Sequence, residues 1–249
     1  SMKILYVGDK YDYMRAGRGL SYGSYNFYDS LVKMDAGRNK VVYFPVDELI
    51  QKDGKARTNE KLLRAANEEN PNLIFFAVGG EIGDIVQKET LEALRRKAPT
   101  VAWMPDDQWA FEAYSRHWAP FFSWVVTTDY KAPAKYKHRG YENVIKSQWA
   151  CNHWLYKKLP LAKIYDVSFV GSRHGNRGKI VQEIQRAGVK VECWGSGWPN
   201  GRVSQEKMIE IFSQSKICLN FTKNSGILWK ELAYIFVRRR MHDRKIVWN

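Results

Sequence analysis

The chain has 249 residues, of which 45% are hydrophobic and 27% are charged, a composition that is typical of a globular protein and excludes a disordered chain. No apolar run approaches the ~18 residues that a membrane-spanning helix needs, and three scattered cysteines exclude a disulfide framework and a zinc site. We therefore expect a cytoplasmic protein. The net charge of +14 favours an anionic partner such as a nucleotide, a phosphate-bearing polymer or a lipid surface.

The first half of the chain alternates short apolar runs with helical patterns, and this alternation is typical of βαβ units that build a parallel sheet. The apolar runs predict six strands, at residues 3–7, 40–44, 73–78, 100–104, 124–127 and 143–147. Apolar residues at helical spacing predict helices at residues 22–33, 59–67, 88–96 and 131–138. No Asn-Gly turn joins two of these strands, so we expect a doubly wound layer.

The pattern starts again after a predicted linker at residues 157–160. Predicted strands follow at residues 165–170, 189–194 and 216–220, and predicted helices at residues 179–187, 204–212 and 229–239. Ser204 is a predicted N-cap, with Lys207 where a carboxylate would complete a capping box. A complete Rossmann-like half has about five or six strands. The sequence therefore predicts an α/β protein of two Rossmann-like domains, 2–160 and 161–249, of which the second is incomplete.

Three junctions between a strand and a glycine are candidate ligand sites, because open α/β sheets bind ligands beyond the carboxyl ends of their strands. The first junction combines Gly8 with Arg15, Gly17 and Arg18, in a basic loop that opens onto a helix start. Backbone N–H groups at a helix start can hold an anion or a polar acceptor group. We therefore take these four residues as a candidate acceptor-side loop.

The other two junctions follow the first two strands of the second half. Residues 169–179 combine small and basic residues, which suits a diphosphate that accepts hydrogen bonds from N–H and guanidinium groups; an ordinary turn with a solvated basic rim is the alternative. Glycines between Trp194 and Trp198 allow a planar base to approach the backbone, although simple turn chemistry explains them nearly as well. The candidate donor-binding residues are Gly171, Ser172, Arg173, Arg177, Gly195 and Gly197.

Two adjacent carboxylates, Asp106 and Asp107, follow the strand at residues 100–104. Paired carboxylates can act as a base or bind a metal or sugar hydroxyls, so both are candidate catalytic residues; either can instead cap the helix that runs toward Tyr114. The five histidines show no ligand spacing, and we expect no metal site. The absence of GxSxG, HExxH and GxxxxGKS/T motifs argues against serine hydrolases, zincins and P-loop NTPases.

Five stretches that together span most of the chain carry a resemblance to a known family. They are residues 103–109 (WMPDDQW), 125–130 (VVTTDY), 147–152 (SQWACN), 165–172 (YDVSFVGS) and 215–220 (SKICLN). In these stretches the chain resembles the CgeB-like (spore maturation protein-like) glycosyltransferases, bacterial and phage proteins of the GT-B fold. The resemblance implies two Rossmann-like domains that face a cleft, with a nucleotide sugar bound mainly by the second domain and an acceptor by the first.

The resemblance also implies roles for single residues. Gly171, Ser172 and Arg177 would lie near the donor diphosphate, and Gly195 and Gly197 near the base. The nucleoside diphosphate sugar is then the donor substrate, and no separate cofactor is implied. Members of this family carry an Arg-x-Phe-Glu stretch later in the second domain, and this chain reaches Asn249 without it. We therefore expect the chain to lack the C-terminal part of that domain.

The leading hypothesis is a glycosyltransferase, or a fragment of one, that moves a sugar from a nucleoside diphosphate sugar to an acceptor. The alternative is a non-catalytic, basic nucleic-acid-binding or assembly module. Its support is segment 221–249, where seven Lys or Arg residues oppose two acidic residues, a net charge of +5, among Tyr234, Phe236 and Trp248. Such a segment can contact an anionic polymer or a membrane surface. A two-domain sugar-nucleotide epimerase is a third hypothesis.

Overall fold

The computed structural model describes residues 1–221 and 237–248, which fall into two compact units. The first unit contains Ser1–Trp154 together with residues 237–248, and the second contains residues 155–221. Residues 237–248 group with the first unit because Met241 packs against its hydrophobic core. The division predicted from the sequence, 2–160 and 161–249, put them in the second half.

The first unit is built on a six-stranded parallel sheet. Its strands are β1 Lys3–Gly8, β2 Lys40–Pro45, β3 Leu73–Ala77, β4 Thr100–Met104, β5 Trp124–Thr127 and β6 Val144–Lys146. They lie in the order β2-β1-β3-β4-β5-β6, and every pair is parallel. The chain adds β2 on one side of β1 and then crosses to β3 on the other side, so the topological switch point lies between β1 and β3.

Helices connect these strands, as the sequence predicts. They are α1 Asp29–Lys33, α2 Val46–Glu69, α3 Lys88–Lys97, α4 Asp107–Ala110, α5 Arg116–Trp118 and α6 Ala132–His138. Two π-helical stretches, Gly23–Tyr28 and Phe111–Ser115, run directly into α1 and α5. Short 3-10 turns lie at Asp12–Met14, Ala16–Arg18, Asp35–Gly37, Ile82–Asp84 and Ala119–Phe121.

Helix α2 is much longer than the predicted helix at residues 59–67. It starts at Val46 and is interrupted at Gly54, whose φ of +75° is not helical. The glycine and the charged residues around it break the apolar spacing, which explains why the sequence predicts only the second part. Within this part, the buried Asn59 donates a hydrogen bond from Nδ2 to the carbonyl of Ile85 at 2.8 Å and accepts the N–H of Gln87 at 2.9 Å. Asn59 thus fixes the loop between β3 and α3 to α2.

The second unit repeats the layout on a smaller scale. Strands β7 Tyr165–Val170, β8 Val191–Trp194 and β9 Ser215–Cys218 form a parallel sheet in the order β8-β7-β9. Helix α7 Arg177–Arg186 and helix α8 Gln205–Gln214 connect them. Ser204 caps α8 by accepting the N–H of Lys207 at 3.1 Å, as predicted. The two parallel sheets confirm the predicted α/β class with Rossmann-like units.

The C-terminal residues correct one predicted element. The predicted helix at residues 229–239 lies mostly outside the described residues, but its last three residues form strand β10 Val237–Arg239, which pairs antiparallel with β11 Ile246–Trp248. The helix prediction is therefore wrong for Val237–Arg239. β-branched residues in both segments favour a strand. Over residues 1–221 and 237–248, no helix is long and apolar enough to cross a membrane.

Candidate functional site

A cleft opens at the carboxyl ends of β1, β3 and β4, at the switch point of the first sheet. Its volume is about 220 Å³. A second cavity of about 350 Å³ adjoins it and shares lining residues such as Gly79, Trp103 and Met241. Open α/β sheets bind ligands at this kind of position, because strands diverge there and leave a crevice. The first unit therefore has its own candidate ligand site.

Asp9, the residue directly after β1, lines this cleft and is only 7% exposed. Its Oδ2 accepts the N–H of Gly79 at 2.7 Å. Its Oδ1 is buried and has no hydrogen-bond partner among the residues that the structure describes. Burial raises the pKa of the Asp9 carboxyl well above its usual range; the Gly79 N–H opposes this shift, and the carboxylate of Asp47 adds to it. Asp9 is thus a buried carboxyl group, one oxygen of which lacks a hydrogen-bond partner within the described residues.

Trp103, near the end of β4, contributes a second polar atom without a partner. Its indole Nε1 is buried and donates to nothing in the described parts of the chain. Its ring packs against Phe27 at 4.8 Å and Trp149 at 5.3 Å between ring centroids, and Trp149 contacts Tyr22 at 4.9 Å. All four rings line the cleft. They form what we call the aromatic wall: Tyr22, Phe27, Trp103 and Trp149.

The loop that carries Trp149 is held against the helical segment of residues 23–33. Asn152 donates hydrogen bonds from Nδ2 to Asp29 Oδ2 at 2.6 Å and to the carbonyl of Tyr25 at 2.9 Å. The N–H of Asn152 in turn donates to Asn26 Oδ1 at 3.0 Å. Nearer the cleft, the Tyr22 hydroxyl donates to the carbonyl of Ala150 at 2.5 Å. Trp149 is therefore fixed in position although its side chain is exposed.

The cleft has an acidic lining in a strongly basic chain. Its only acidic or basic lining residues in the described structure are Asp9 and Asp12. The adjoining cavity has three acidic residues, Glu81, Asp84 and Asp106, and one basic residue, Arg239. The positive charge that gives the chain its net +14 therefore lies elsewhere.

The two predicted catalytic carboxylates occupy different environments. Asp107 is completely buried, and its carboxylate accepts the hydroxyl of Tyr136 at 3.0 Å. Burial raises the pKa of the Asp107 carboxyl, while hydrogen bonds from Ser115, Thr127 and Tyr136 oppose the rise. Asp106 is exposed and lines the adjoining cavity. Asp106 is thus the member of the pair that a ligand in that cavity can reach, and the catalytic role of either stays a prediction.

The predicted acceptor-side loop lines the cleft, but with residues other than the predicted Gly8, Arg15, Gly17 and Arg18. A Cβ on Gly8 would lie 2.7 Å from the ring of Tyr6, so packing beneath the strand end requires a glycine there. Arg18 pairs with Asp12, at 2.9 Å between Nε and Oδ2, while Arg15 and Gly17 are exposed. Within the described residues, this loop contributes Tyr11, Asp12 and Tyr13 to the cleft lining.

In the second unit, the structure brings the two predicted donor-binding turns together. The N–H of Gly171 donates to the carbonyl of Trp194 at 2.8 Å, and the N–H of Arg173 to that of Ser196 at 2.8 Å. Gly195 has a φ of +127°, and a Cβ there would overlap the carbonyl of Gly171. The turns after β7 and β8 therefore form one closely packed structure that only a glycine at this position permits.

The two arginines of this structure have different surroundings. Arg177 donates to the carbonyls of Ser172 at 3.0 Å and Phe221 at 3.1 Å, so it fixes the turn. Arg173 is exposed, and its guanidinium lies over the ring of Trp198 at 5.3 Å, beside a cavity of about 340 Å³. Both keep positive charge next to the turn at the end of β7. No three His, Cys, Asp or Glu side chains within the described ranges are arranged to hold a metal ion.

Part of the chain matches a known family model. Residues 173–239 match the family described as glycosyl transferase-like. No curated protein matches the chain. The match, together with the two parallel sheets, supports a glycosyltransferase, whose substrates are a sugar donor and an acceptor. The narrower resemblance to the CgeB-like subfamily stays a prediction.

The sequence predictions missed Asp9 and the aromatic wall. Asp9 directly follows the predicted strand and Gly8, so a carboxylate at a strand end was the available signal. Trp103 and Trp149 both lie in stretches that carry the family resemblance, at residues 103–109 and 147–152. Their meeting in one cleft depends on the sheet order and on the Asn152 contacts, which no local pattern reveals.

Proposed function

We propose that the protein transfers a sugar from a nucleoside diphosphate sugar to an acceptor hydroxyl, and that the second unit binds the donor. The observation that carries this proposal is the joined turn structure of Gly171 and Gly195, with Arg173 and Arg177 beside it at the ends of two parallel strands. Most of this structure lies in or next to the residues that match the glycosyl transferase-like family.

The chemistry of such a transfer requires two things of the protein. The bond between the anomeric carbon and the diphosphate oxygen breaks, so positive charge and N–H donors must stabilise the leaving diphosphate. The turn after β7, with Ser172, Arg173 and the start of α7, provides both. The acceptor oxygen forms the new bond to the anomeric carbon and gives up its proton to a base. Asp106, exposed at a cavity of the first unit, is the base that this proposal takes from the sequence.

Glycines explain how the nucleoside would be accommodated. Gly195 and Gly197 have φ values of +127° and +84°, and neither places a side chain above the turn. A planar base can therefore approach the backbone there, with Trp198 nearby. Trp198 itself is fixed by a hydrogen bond from Nε1 to the carbonyl of Gly171 at 2.9 Å. These positions support the predicted nucleotide role of both glycines.

Nucleotide protection tests the proposal. A ligand that binds only the folded state at about 100 times its Kd stabilises that state by about 2.7 kcal/mol, so UDP, GDP or ADP should raise the Tm. Arg173→Ala and Arg177→Ala should each weaken nucleotide binding by about 10- to 100-fold, since hydrogen bonds from a charged donor contribute about 1.5–3 kcal/mol. Arg186→Ala, at the far end of α7, is the matched control and should bind like the unchanged protein. The absence of protection by every nucleoside diphosphate would refute the proposal.

The C-terminal hairpin favours a second candidate function, binding of a nucleic acid. Trp248 is 82% exposed on β11, and Arg239, Arg244 and Lys245 are exposed on the same hairpin. An exposed aromatic ring between cations is typical of single-strand binding. A binding constant for single-stranded RNA whose logarithm falls linearly with the logarithm of salt concentration would support this function. A binding constant that does not change with salt concentration would exclude it.

A further inference from the structure

We propose that the turn of the C-terminal hairpin is a pH-sensitive latch, which closes one side of the cavity beside the cleft of the first unit and is released when His242 gains a proton. The latch consists of residues 240–245, the turn between β10 and β11. This inference goes beyond the proposed function, because it concerns access to the first unit and requires neither a sugar nor a nucleotide.

Met241 anchors the latch on the first unit. It packs against the hydrophobic core and lines both the cleft and the adjoining cavity. It lies against the turn after β3, where a Cβ on Gly79 would be 3.3 Å from its Sδ and a Cβ on Gly80 would be 3.3 Å from its Cβ. The two glycines therefore leave the space that Met241 fills. Departure of Met241 would widen both the cleft and the cavity.

The strands beside the latch add little attachment to the first unit. In the described structure, β10 and β11 pair only with each other. Ile246 and Trp248 of β11 are 72% and 82% exposed. The latch can therefore leave the first unit without breaking any strand pair of the six-stranded sheet.

The latch is a well-defined unit with an incompletely satisfied docked position. Asp243 accepts hydrogen bonds from Arg240 Nη2 at 2.6 Å and from the N–H of Lys245 at 3.0 Å, and the N–H of Arg240 donates to the carbonyl of Lys245 at 2.8 Å. These contacts lie within the turn and are kept when it moves. The Nε of Arg240 is buried without a hydrogen-bond partner among the described residues. Because water would satisfy this donor, its burial weakens docking.

His242 is the residue of the latch that titrates near neutral pH. Its side chain is only 13% exposed, and its Nε2 lies 3.7 Å from Asp243 Oδ2. Asp243 and Arg240 act on it from the same turn, Asp84 from the 3-10 turn before α3, and Lys55 from α2. Burial lowers the pKa of His242; Arg240 and Lys55 add to this lowering, and Asp243 and Asp84 oppose it.

The groups around His242 differ in whether they stay with it on release. Asp243 and Arg240 belong to the same turn and remain beside it, whereas burial, Lys55 and Asp84 act only in the docked position. Lys55 is itself a buried cation there: burial lowers its pKa, Arg240 adds to the lowering, and Asp84 and Glu89 oppose it. A further positive charge on His242 is therefore unfavourable in the docked position.

The lowered pKa of His242 gives the direction of the pH response. Above about pH 6.5, the ordinary pKa of a histidine, His242 is neutral in both positions and docking has its full strength. As pH falls from there toward the lower pKa of the docked position, the released latch binds a proton that the docked latch does not. The docking equilibrium constant then falls by up to about tenfold per pH unit.

Methyl NMR of the methionines tests the latch in the full chain without any ligand. The methyl groups are labelled with ¹³C, and Met241→Leu assigns the signal of Met241. Between about pH 7.5 and about pH 5 this signal should move toward the signals of Met2 and Met34, which are 43% and 48% exposed. The signals of Met14 and Met104, which are 3% exposed, should not change, and this excludes unfolding of the core.

Substitutions separate the charge of His242 from its packing. His242→Gln stays neutral and should keep Met241 docked down to about pH 5, whereas His242→Arg is always charged and should release it already at about pH 7.5. Lys55→Gln removes a repelling cation and should shift the release to lower pH. His138→Gln is the matched control, since His138 is exposed at the end of α6, and it should not change the transition.

The proposal is overturned if the Met241 signal does not change with pH, or if His242→Gln changes it as in the unchanged protein. The second result would assign the transition to another group, such as Asp9. If His242→Arg fails to fold, as the Met14 and Met104 signals would show, Lys55→Gln decides, because an unchanged midpoint in that variant overturns the latch. None of these results affects the transfer proposal, which nucleotide protection tests separately.

Discussion

The first strands of the two units end in similar residues, but the residues that follow them differ. Strand β1 ends in Tyr6-Val7-Gly8, and β7 ends in Phe169-Val170, with Gly171 directly after it. In both, the aromatic ring occupies the space that a Cβ on the glycine would need. The next residue is Asp9 in one case and Ser172 in the other. The glycine is therefore required by the aromatic ring packed beneath the strand end. The residue after the glycine differs, and it gives each strand end its own polar group.

The surroundings of these two residues extend the contrast. Asp9 lines a cleft together with aromatic rings and the acidic Asp12, and its side chain accepts the backbone N–H of Gly79. Ser172 precedes Arg173, and its carbonyl accepts a hydrogen bond from Arg177, in a turn structure held by backbone contacts. One α/β layout thus carries an aromatic cleft with acidic residues in the first unit and a basic turn structure in the second.

The largest loss of stability is expected at the closely packed backbone of the turns after β7 and β8 in the second unit. Gly195→Ala would combine an unfavourable φ with overlap of the Gly171 carbonyl, and it should lower the free energy of unfolding by about 4 kcal/mol. Gly175→Ala is the control: its φ of +60° is also unfavourable, but no atom lies near the added Cβ, so it should cost about 1 kcal/mol. Urea denaturation measures both. Equal costs would show that the two turns do not need their close contact.

A smaller effect should separate the two carboxylates of the first unit. Asp107→Ala removes the acceptor of the buried Tyr136 hydroxyl, and it should destabilise the fold by about 3 kcal/mol. Asp106→Ala, at an exposed position, should cost less than about 1 kcal/mol. Thermal and urea unfolding of both variants check this. If Asp106→Ala costs as much as Asp107→Ala, Asp106 is a structural residue and no longer a candidate base.

The smallest effect concerns the pH dependence that Asp9 gives the first unit. The pKa of the Asp9 carboxyl is raised in the folded state, so the folded state keeps the proton at pH values where the unfolded state has lost it. The free energy of unfolding therefore falls as pH rises from about 4 toward the folded pKa. Its titratable neighbours are Asp47, Tyr6 and Tyr43. Asp9→Asn removes this loss, so its stability relative to the unchanged protein should increase by at least about 1 kcal/mol between about pH 4 and pH 7.

The second unit offers a control of opposite sign for this pH series. Asp166 is exposed, and its hydrogen bond with Lys216 lowers the pKa of its carboxyl. Asp166→Asn should therefore lose stability relative to the unchanged protein as pH rises through the acid range, and only slightly, because solvent screens the pair. Denaturation curves at several pH values measure both variants. A flat difference for Asp9→Asn would show that the cleft does not keep its carboxyl protonated.

Much of the fold is predictable from the sequence, because strands buried in a parallel sheet are continuous apolar runs. All nine strands of the two parallel sheets fall on predicted apolar runs, and several, such as Thr100–Met104 and Tyr165–Val170, have the predicted bounds. The differences arise where local pattern competes with something else. Gly54 hides the first part of α2, and Val237–Arg239 pairs with a strand instead of continuing a helix.

The candidate sites were predictable to different degrees. The glycine and arginine turns of the second unit are contiguous in sequence, so composition alone places them at strand ends. The cleft of the first unit joins Asp9, Tyr22, Trp103 and Trp149, which are distant in sequence and meet only through the sheet order. Burial also separates Asp106 from Asp107, a distinction that two identical adjacent residues cannot show in a sequence.

The amide of Asn59 has a consequence for how ligand binding would be detected. Because Asn59 holds both Ile85 and Gln87, the segment that follows Glu81 and Asp84, two acidic residues lining the adjoining cavity, is attached to α2. Opening of that loop and opening of α2 are then one cooperative event. A molecule that binds beside Glu81 and Asp84 would therefore slow hydrogen–deuterium exchange along α2, although no residue of α2 lines that cavity.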